Sequence, residues 1–262
     1  HTPPRYLYGY ATATKQNLWL KLYGGLVNPG LRMYDYVAAQ RVDKFVANSE
    51  NVRQRIKKFY RRDAVVIYPP VAQGDLSFAK ATAGKYFLMV NRLVESKRVD
   101  VGIRAALQSR VNLKIVGTGR EEGNLKRLAE GAANIEFLGY VDDAELYKLY
   151  AGCRAVVYLP QDEDFGMTPV EAASWGKPVI AVRGGGVRES VVDGVTGILM
   201  DELSVGGLTK ILKEFTKLRR YEFKAEEIKK QAEKFGKDRF KQEMKDFIEK
   251  ELKVSLNKYS RL

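Results

Sequence analysis

The sequence predicts an α/β protein built on a mostly parallel sheet with helices on both faces. Five short apolar runs recur through the middle of the chain, stretches of helical length separate them, and several of these stretches open on residues that start helices. The runs are Tyr86-Phe87-Leu88-Met89-Val90, Leu113-Lys114-Ile115-Val116, Ile135-Glu136-Phe137-Leu138, Ala155-Val156-Val157-Tyr158-Leu159 and Pro178-Val179-Ile180-Ala181-Val182. Strands this short and this apolar, alternating with helices, are buried on both sides because crossover helices connect parallel neighbours. The helices are expected from about Val99 to Gln108, Glu121 to Glu130, Asp142 to Ala151 and Thr168 to Trp175. Asp142 with Glu145 reads as a capping box, and Thr168 with Glu171 as another, with Pro169 at the first helical position.

Before this region, Tyr34 to Arg41 reads as helix and Lys44 to Ala47 as a short strand. Ser49 then offers its hydroxyl as the N-cap of a helix running to about Phe59. Val65 to Tyr68 is a further strand, ended by Pro69-Pro70, which cannot continue a ladder and mark a domain boundary. Beyond about Ser204 the chain reads as helical, with apolar points Leu208, Ile211, Leu212 and Phe215, then Phe240, Met244, Phe247 and Ile248. The expected division is residues 1–69 as one unit, 70–235 as the parallel-sheet domain, and 236–262 as a C-terminal helix packing back toward the first unit.

Composition narrows the class. The chain has 262 residues, 45% of them hydrophobic, enough for at least one substantial core. No run approaches the roughly eighteen apolar residues of a membrane span. Cys153 is the single cysteine, which excludes an intrachain disulfide and suits a reducing compartment. With one histidine and one cysteine, a zinc site of the usual ligand types lacks its donors, and no metal is expected. The formal charge of +13 attracts anions of every kind. Much of it lies after Gly207, where Lys and Arg alternate with Glu as on a solvated helix surface. No nucleic-acid-reading motif accompanies it, so no nucleic-acid partner is expected. Neither does a phosphate loop ending in Gly-Lys-Ser or Gly-Lys-Thr occur, which disfavours an ordinary nucleotide hydrolase.

Ligands of parallel sheets bind outside the C-terminal ends of the strands. There, Arg92 and Lys97 flank a short loop after the first central strand, and a guanidinium fork beside an ammonium suits a diphosphate, although the same spacing fits a surface pair. Glu163 follows a buried strand and Glu171 falls in the next helix, so both carboxylates can stand at one sheet edge and accept hydroxyl donors. Glu171 equally fits the closure of the capping box with Thr168. Gly184-Gly185-Gly186 reads either as a backbone that approaches a ligand closely or as a flexible turn, and Gly117-Thr118-Gly119 is a weaker glycine signal.

The order of these elements resembles the fourth family of retaining glycosyltransferases, especially mannosyltransferase-like members that build surface polysaccharides. Almost the whole chain takes part: His1 to Leu7, Ala39 to Asp43, Ala47-Asn48-Ser49 and Ile67 to Val71 are similar to the end of that family's first domain and its hinge. Glu163 and Glu171, with seven residues between them, match its paired glutamates. The resemblance implies a GT-B type fold, with a Rossmann-like parallel-sheet C-terminal domain and a partial N-terminal domain. It implies that Arg92 and Lys97 hold the donor diphosphate, that Lys97 steadies the leaving group, that Glu171 binds the nucleotide ribose and that Glu163 stands beside the transferred sugar. Phe165, Gly166, Met167 and Thr168 match a loop whose backbone contacts sugar and phosphates, and Gly117, Tyr140 and Val141 lie near the base.

The same resemblance implies hexosyl transfer with retained configuration and no divalent ion. The donor is GDP-mannose first and a UDP-sugar second; the acceptor is a glycan or lipid-linked sugar, at a cytoplasmic location reaching the inner membrane face through peripheral contact. The first third of a usual member has no counterpart, so the chain is expected to be an N-terminally truncated piece, impaired or inactive alone. A non-catalytic nucleotide-sugar-binding module is the alternative. His1 matches a later cleft position without a catalytic part, and Arg5 either faces the cleft or serves structure.

Overall fold

The computed structural model describes residues 2–10, 18–72, 74, 84–217 and 223–259. The first unit contains α1 (Leu18–Gln40), β1 (Phe45–Ala47), α2 (Glu50–Tyr60) and β2 (Ala64–Val66). Its strands pair in parallel, with Phe45 opposite Ala64. Ser49 caps α2 as expected, accepting from Val52 N at 3.0 Å. Helix α1 is far longer than the expected segment at 34–41. Gly24-Gly25 and Pro29-Gly30 read as interruptions, yet Pro29 lies inside the helix. The C-terminal part of α1 is held to the rest of the unit: the Tyr8 hydroxyl donates to Asp35 at 2.8 Å, and Ala39 is buried with Val52, Ile56 and Tyr60 of α2.

The second unit alternates strictly. Strands β3 (Phe87–Val90), β4 (Leu113–Val116), β5 (Ile135–Gly139), β6 (Ala155–Tyr158), β7 (Val179–Val182) and β8 (Gly197–Met200) are separated by α3 (Val99–Ser109), α4 (Glu122–Leu128), α5 (Asp143–Gly152), α6 (Met167–Ser174) and the short α7 (Val187–Ser190). All six pair in parallel in the order β5-β4-β3-β6-β7-β8. With β1 and β2 this makes two parallel sheets flanked by helices, the GT-B arrangement. Strand β8 escaped the sequence reading because Ile198 is its only β-branched residue; pairing with β7 along its whole length fixes it.

Side-chain alternation explains the layers. Phe87 and Met89 of β3, with Ala155 and Val157 of β6, enter one apolar cluster with Ile103 of α3 and with Leu208 and Leu212 of α8 (Val205–Thr216). Their neighbours Leu88, Val156 and Tyr158 enter the opposite cluster with Tyr150 of α5 and Ala172 of α6. Each fully buried Leu, Ile or Phe in such a cluster contributes about 1.5–3 kcal/mol. Helix α9 (Ala225–Glu233) covers α6 through Ile228 and Ala232, and α10 (Lys237–Tyr259) runs back to the first unit. There Arg239 donates to the Tyr68 carbonyl at 2.7 Å, and Lys44 pairs with Glu251 at 3.3 Å. Among the described residues, no helix is long and apolar enough to cross a membrane.

Gly117, just after β4, has φ +120°, and a Cβ there would lie 1.9 Å from the Asn91 carbonyl oxygen. That contact holds the loops after β3 and β4 together, with Leu93 N donating to Thr118 O at 2.9 Å. Gly117→Ala is therefore expected to destabilise the protein by about 2–4 kcal/mol, combining backbone strain with overpacking. Urea denaturation measures this, and an unchanged midpoint would remove Gly117 from its assigned structural part.

Candidate functional site at the switch point of the sheet

From β3 the chain builds outward through β4 and β5, then returns to place β6 on the other side of β3. The reversal opens a crevice at the C-terminal ends of β3 and β6, where doubly wound sheets receive ligands. The loop after β3 carries Arg92 and a single 3₁₀ turn, Glu95–Lys97; the loop after β6 carries Asp162, Glu163 and Asp164.

These two loops meet. Lys97 Nζ lies 2.5 Å from Glu163 Oε2, joining residues 66 apart in sequence. On the other side, Arg5 from the N-terminal segment lies 3.4 Å from Glu163 Oε1 and 2.9 Å from Asp164 Oδ1. Arg55 of α2, buried against the Tyr10 ring, completes the array by pairing with Asp164 at 2.7 Å and donating to the Asp162 carbonyl at 3.1 Å. Tyr158, buried at the end of β6, stands close enough to Glu163 to feel its charge. Burial works to raise the Glu163 carboxyl, but Lys97 and then Arg5 outweigh it and hold the group below its ordinary value of 4.5. Arg5 answers the question left open by sequence: it faces the crevice and also fastens the loop.

Main-chain contacts fix the same loop. Ser49 Oγ donates to Asp164 O at 2.6 Å, Asn51 Nδ2 to Glu163 O at 3.1 Å, and Gly186 N to Glu163 O at 2.9 Å. Glu189 of α7 accepts from the backbone N–H groups of Glu50 and Asn51 at 2.7 and 2.9 Å, placing a carboxylate on the positive end of α2. This corrects the reading of the three glycines as a ligand-approaching backbone. A Cβ on Gly185 would lie 2.3 Å from Glu163 O, and one on Gly186 would lie 2.2 Å from Asp164 O. Their missing side chains let two loops of the protein touch; only Gly184 borders open space.

Glu171 has a different environment. Its carboxylate accepts from the Tyr150 hydroxyl at 2.7 Å, and burial raises it above 4.5. The expected capping box is absent: α6 begins at Met167, its N-cap is Gly166 at φ 90°, and Thr168 donates instead to Val90 O at 3.4 Å. That bond ties the first turn of α6 to the end of β3. The other box position does cap, since Asp142 accepts from Glu145 N at 2.8 Å.

Of the remaining sequence candidates, Arg92 is exposed, and its side chain has no ion pair or hydrogen bond to the described residues. Gly117 N donates to Gly139 O at 2.7 Å, which brings Gly117 beside Tyr140 and Val141. Tyr140 is 85% exposed, so the protein leaves its ring unenclosed, whereas Val141 packs on the core. Phe165 is buried with Tyr68 and Phe235, so only its main chain is left for a ligand. Met167 is partly exposed at the start of α6. His1 lies outside the described residues. Sequence reasoning missed Tyr150, Tyr158, Asp164, Arg55, Asn51 and Glu189. Asp164 adjoins a named glutamate and was within reach, but the others act across contacts that no local pattern encodes.

The family described as glycosyl transferases group 1 matches residues 76–235, more than half of the chain. The chain belongs to this family. Similar members include the uncharacterized glycosyltransferase MJ1178 of Methanocaldococcus jannaschii, 29% identical over 65% of this chain and 49% of that protein. The O-antigen chain mannosyltransferase C of Escherichia coli is 27% identical over 78% of this chain and 57% of its own length. The chain thus spans about half the length of these curated relatives. Among solved structures, the pneumococcal O-GlcNAc transferase GtfA in complex with UDP and GlcNAc aligns with a TM-score of 0.72 at 20% identity, covering 84% of this chain and 47% of that one. Anabaena HepE in complex with UDP-glucose aligns at 0.70 and 22% identity, covering 84% and 67%.

The unlike states of the two glutamates make a stability prediction. Glu171 is raised in the fold, so its contribution is fully present below 4.5 and is lost as pH rises toward the folded-state value. Glu171→Gln removes this loss and keeps an acceptor for Tyr150. The unliganded variant should melt above the wild type at pH 7, with the gap closing below 4.5; a gap independent of pH would contradict the assignment.

Proposed function

We propose that the chain is the nucleotide-sugar-binding part of a retaining, metal-independent glycosyltransferase. The observation that carries this reading is the meeting of Lys97 and Glu163 at 2.5 Å in the crevice of a family member. Arg92, exposed and unpaired among the described residues, and Lys97, nearby on the same loop, are the cations for a donor diphosphate. When the nucleoside diphosphate departs, negative charge grows on its phosphate and positive character on the anomeric carbon of the sugar. Cations already oriented toward that phosphate lower the barrier without solvent rearrangement. The first turn of α6, whose free N–H groups include those near Met167 and Thr168, adds positive potential at the same edge.

Glu163, held as an anion, stands by the transferred sugar, and Glu171 accepts the ribose hydroxyls of the nucleotide. Gly117, Tyr140 and Val141 border the base, with the Tyr140 ring free to stack on it. The transferred group is a hexose. Mannose from GDP-mannose is favoured by the mannosyltransferases among the relatives, and a UDP-sugar is the second reading because GtfA and HepE were solved with UDP. The acceptor is a glycan or a lipid-linked sugar at the cytoplasmic membrane face.

Calorimetric titration with GDP- and UDP-sugars tests the donor site. Arg92→Ala, Lys97→Ala and Glu171→Ala should each weaken binding of the preferred donor by about 10- to 100-fold, the loss of a hydrogen bond to a charged group. Equal binding by all three variants and the wild type would sink the proposal. Donor binding without transfer, even with the rest of a full-length relative's first domain supplied, would favour the binding module.

A further inference from the structure

The two oxygens of Glu163 are divided between two cations that come from opposite sides of the crevice. Oε2 faces Lys97, on the loop after β3; Oε1 faces Arg5, on the N-terminal segment. The proposed function, on which this inference rests, asks Lys97 to serve the donor diphosphate. One ammonium cannot keep its shortest contact with Glu163 while turning to a phosphate. We propose that Arg5 is the positioning residue that keeps Glu163 anionic and in place when Lys97 is handed over to the diphosphate of a nucleotide sugar.

The geometry suits that part. Arg5 donates through Nε to Asp164 and through its terminal nitrogen to Glu163, so one planar fork spans two consecutive carboxylates. Asp164 also accepts Arg55 at 2.7 Å, so its charge is shared between two guanidinium groups. Three-quarters or more of each of the Arg5, Glu163 and Asp164 side chains is removed from solvent, where such pairs are screened less than on an open surface. The groups facing Glu163 are thus Lys97 from the 3₁₀ turn, Arg5 from the N-terminal segment, Tyr158 from β6 and the adjacent Asp164, with Arg55 of α2 acting through Asp164. Without Lys97, Arg5 is the one full positive charge of this set in contact with the Glu163 carboxylate. Tyr158 brings no positive charge.

The test follows the Glu163 carboxyl by NMR in protein labelled with carbon-13 at glutamate, its signal assigned with Glu163→Gln. Each titration is run without nucleotide and with saturating UDP or GDP. In the wild type the carboxyl should titrate below the ordinary range in both states. In Arg5→Ala the midpoint should rise by about one pH unit without nucleotide, and further with nucleotide bound. Arg5→Lys should recover part of the depression, and Arg55→Ala, which leaves both cations on Glu163, should stay near the wild type. If Arg5→Ala fails to fold, Arg5→Gln removes the charge at similar size and is read in the same way. An unchanged Glu163 midpoint in the nucleotide-bound Arg5 variants would overturn the proposal. Failure of UDP and GDP to bind would instead overturn the donor-site reading and the handover with it, while the unliganded titrations would still report whether Arg5 holds Glu163.

Discussion

The loop at residues 162–165 is held by both sheets at once, and the arrangement of the crevice depends on that double hold. Asp162 has φ 54°, a left-handed conformation that costs a non-glycine residue about 1–2 kcal/mol. Such strain persists only where the surroundings over-determine the backbone. Here they do: the next two carbonyls are taken by Ser49, Asn51 and Gly186, while the two carboxylates are taken by Lys97, Arg5 and Arg55. The strained turn delivers Glu163 to the crevice and Phe165 to the apolar cluster with Tyr68 and Phe235. One short segment thereby carries both the charge of the site and the packing of the junction between units.

The glycines after β7 belong to the same construction. Gly185 and Gly186 let that loop lie against the main chain of residues 163–164, and three residues later Glu189 reaches across to the N-terminus of α2. Loops after two adjacent strands therefore behave as one block docked on the N-terminus of α2, beside the other sheet. Glu189 supplies the negative charge that a helix N-terminus favours, and Ser49 satisfies a further N–H of the same helix. Ser49 serves two purposes with one oxygen, accepting from Val52 N while donating its proton to Asp164 O. The helix cap and the functional loop are consequently fixed together.

Much of the fold was legible because its determinants are local. Apolar runs such as Ala155 to Leu159 could be nothing but buried strands once helices separated them, and Asp142 and Ser49 announced their helices through their own hydroxyl or carboxylate chemistry. Local rules failed in two of the helices. Pro29 sits within α1 although it cannot donate to the helix, and Thr168 does not cap because α6 is already capped by Gly166 two residues earlier. The site divides in the same way. Lys97 and Glu163 could be named from residue type and position after a strand, but their separation could not. The buried Tyr150 that holds Glu171, and Arg55 on Asp164, depend on sequence separations of 21 and 109 residues. No spacing rule reaches that far.

The excess of positive charge also resolves into two populations with different physics. Lys57 and Lys58 in α2, Lys126 and Arg127 in α4, and Lys213 in α8 stand in last turns of helices, where exposed carbonyls present partial negative charge. In the sheet domain these ends fall at the edge opposite the crevice, because crossover helices run against the strands. Such cations are accounted for by the helices themselves. At the crevice the helix ends are already positive, so Lys97, Arg5 and Arg55 add charge of the same sign, and Glu163 and Asp164 make their convergence tolerable. The protein's own carboxylates occupy the positive field that an incoming anion would seek. Any anion that engages Lys97 must compete with Glu163, so its affinity reflects the difference between two ion pairs rather than the full strength of either.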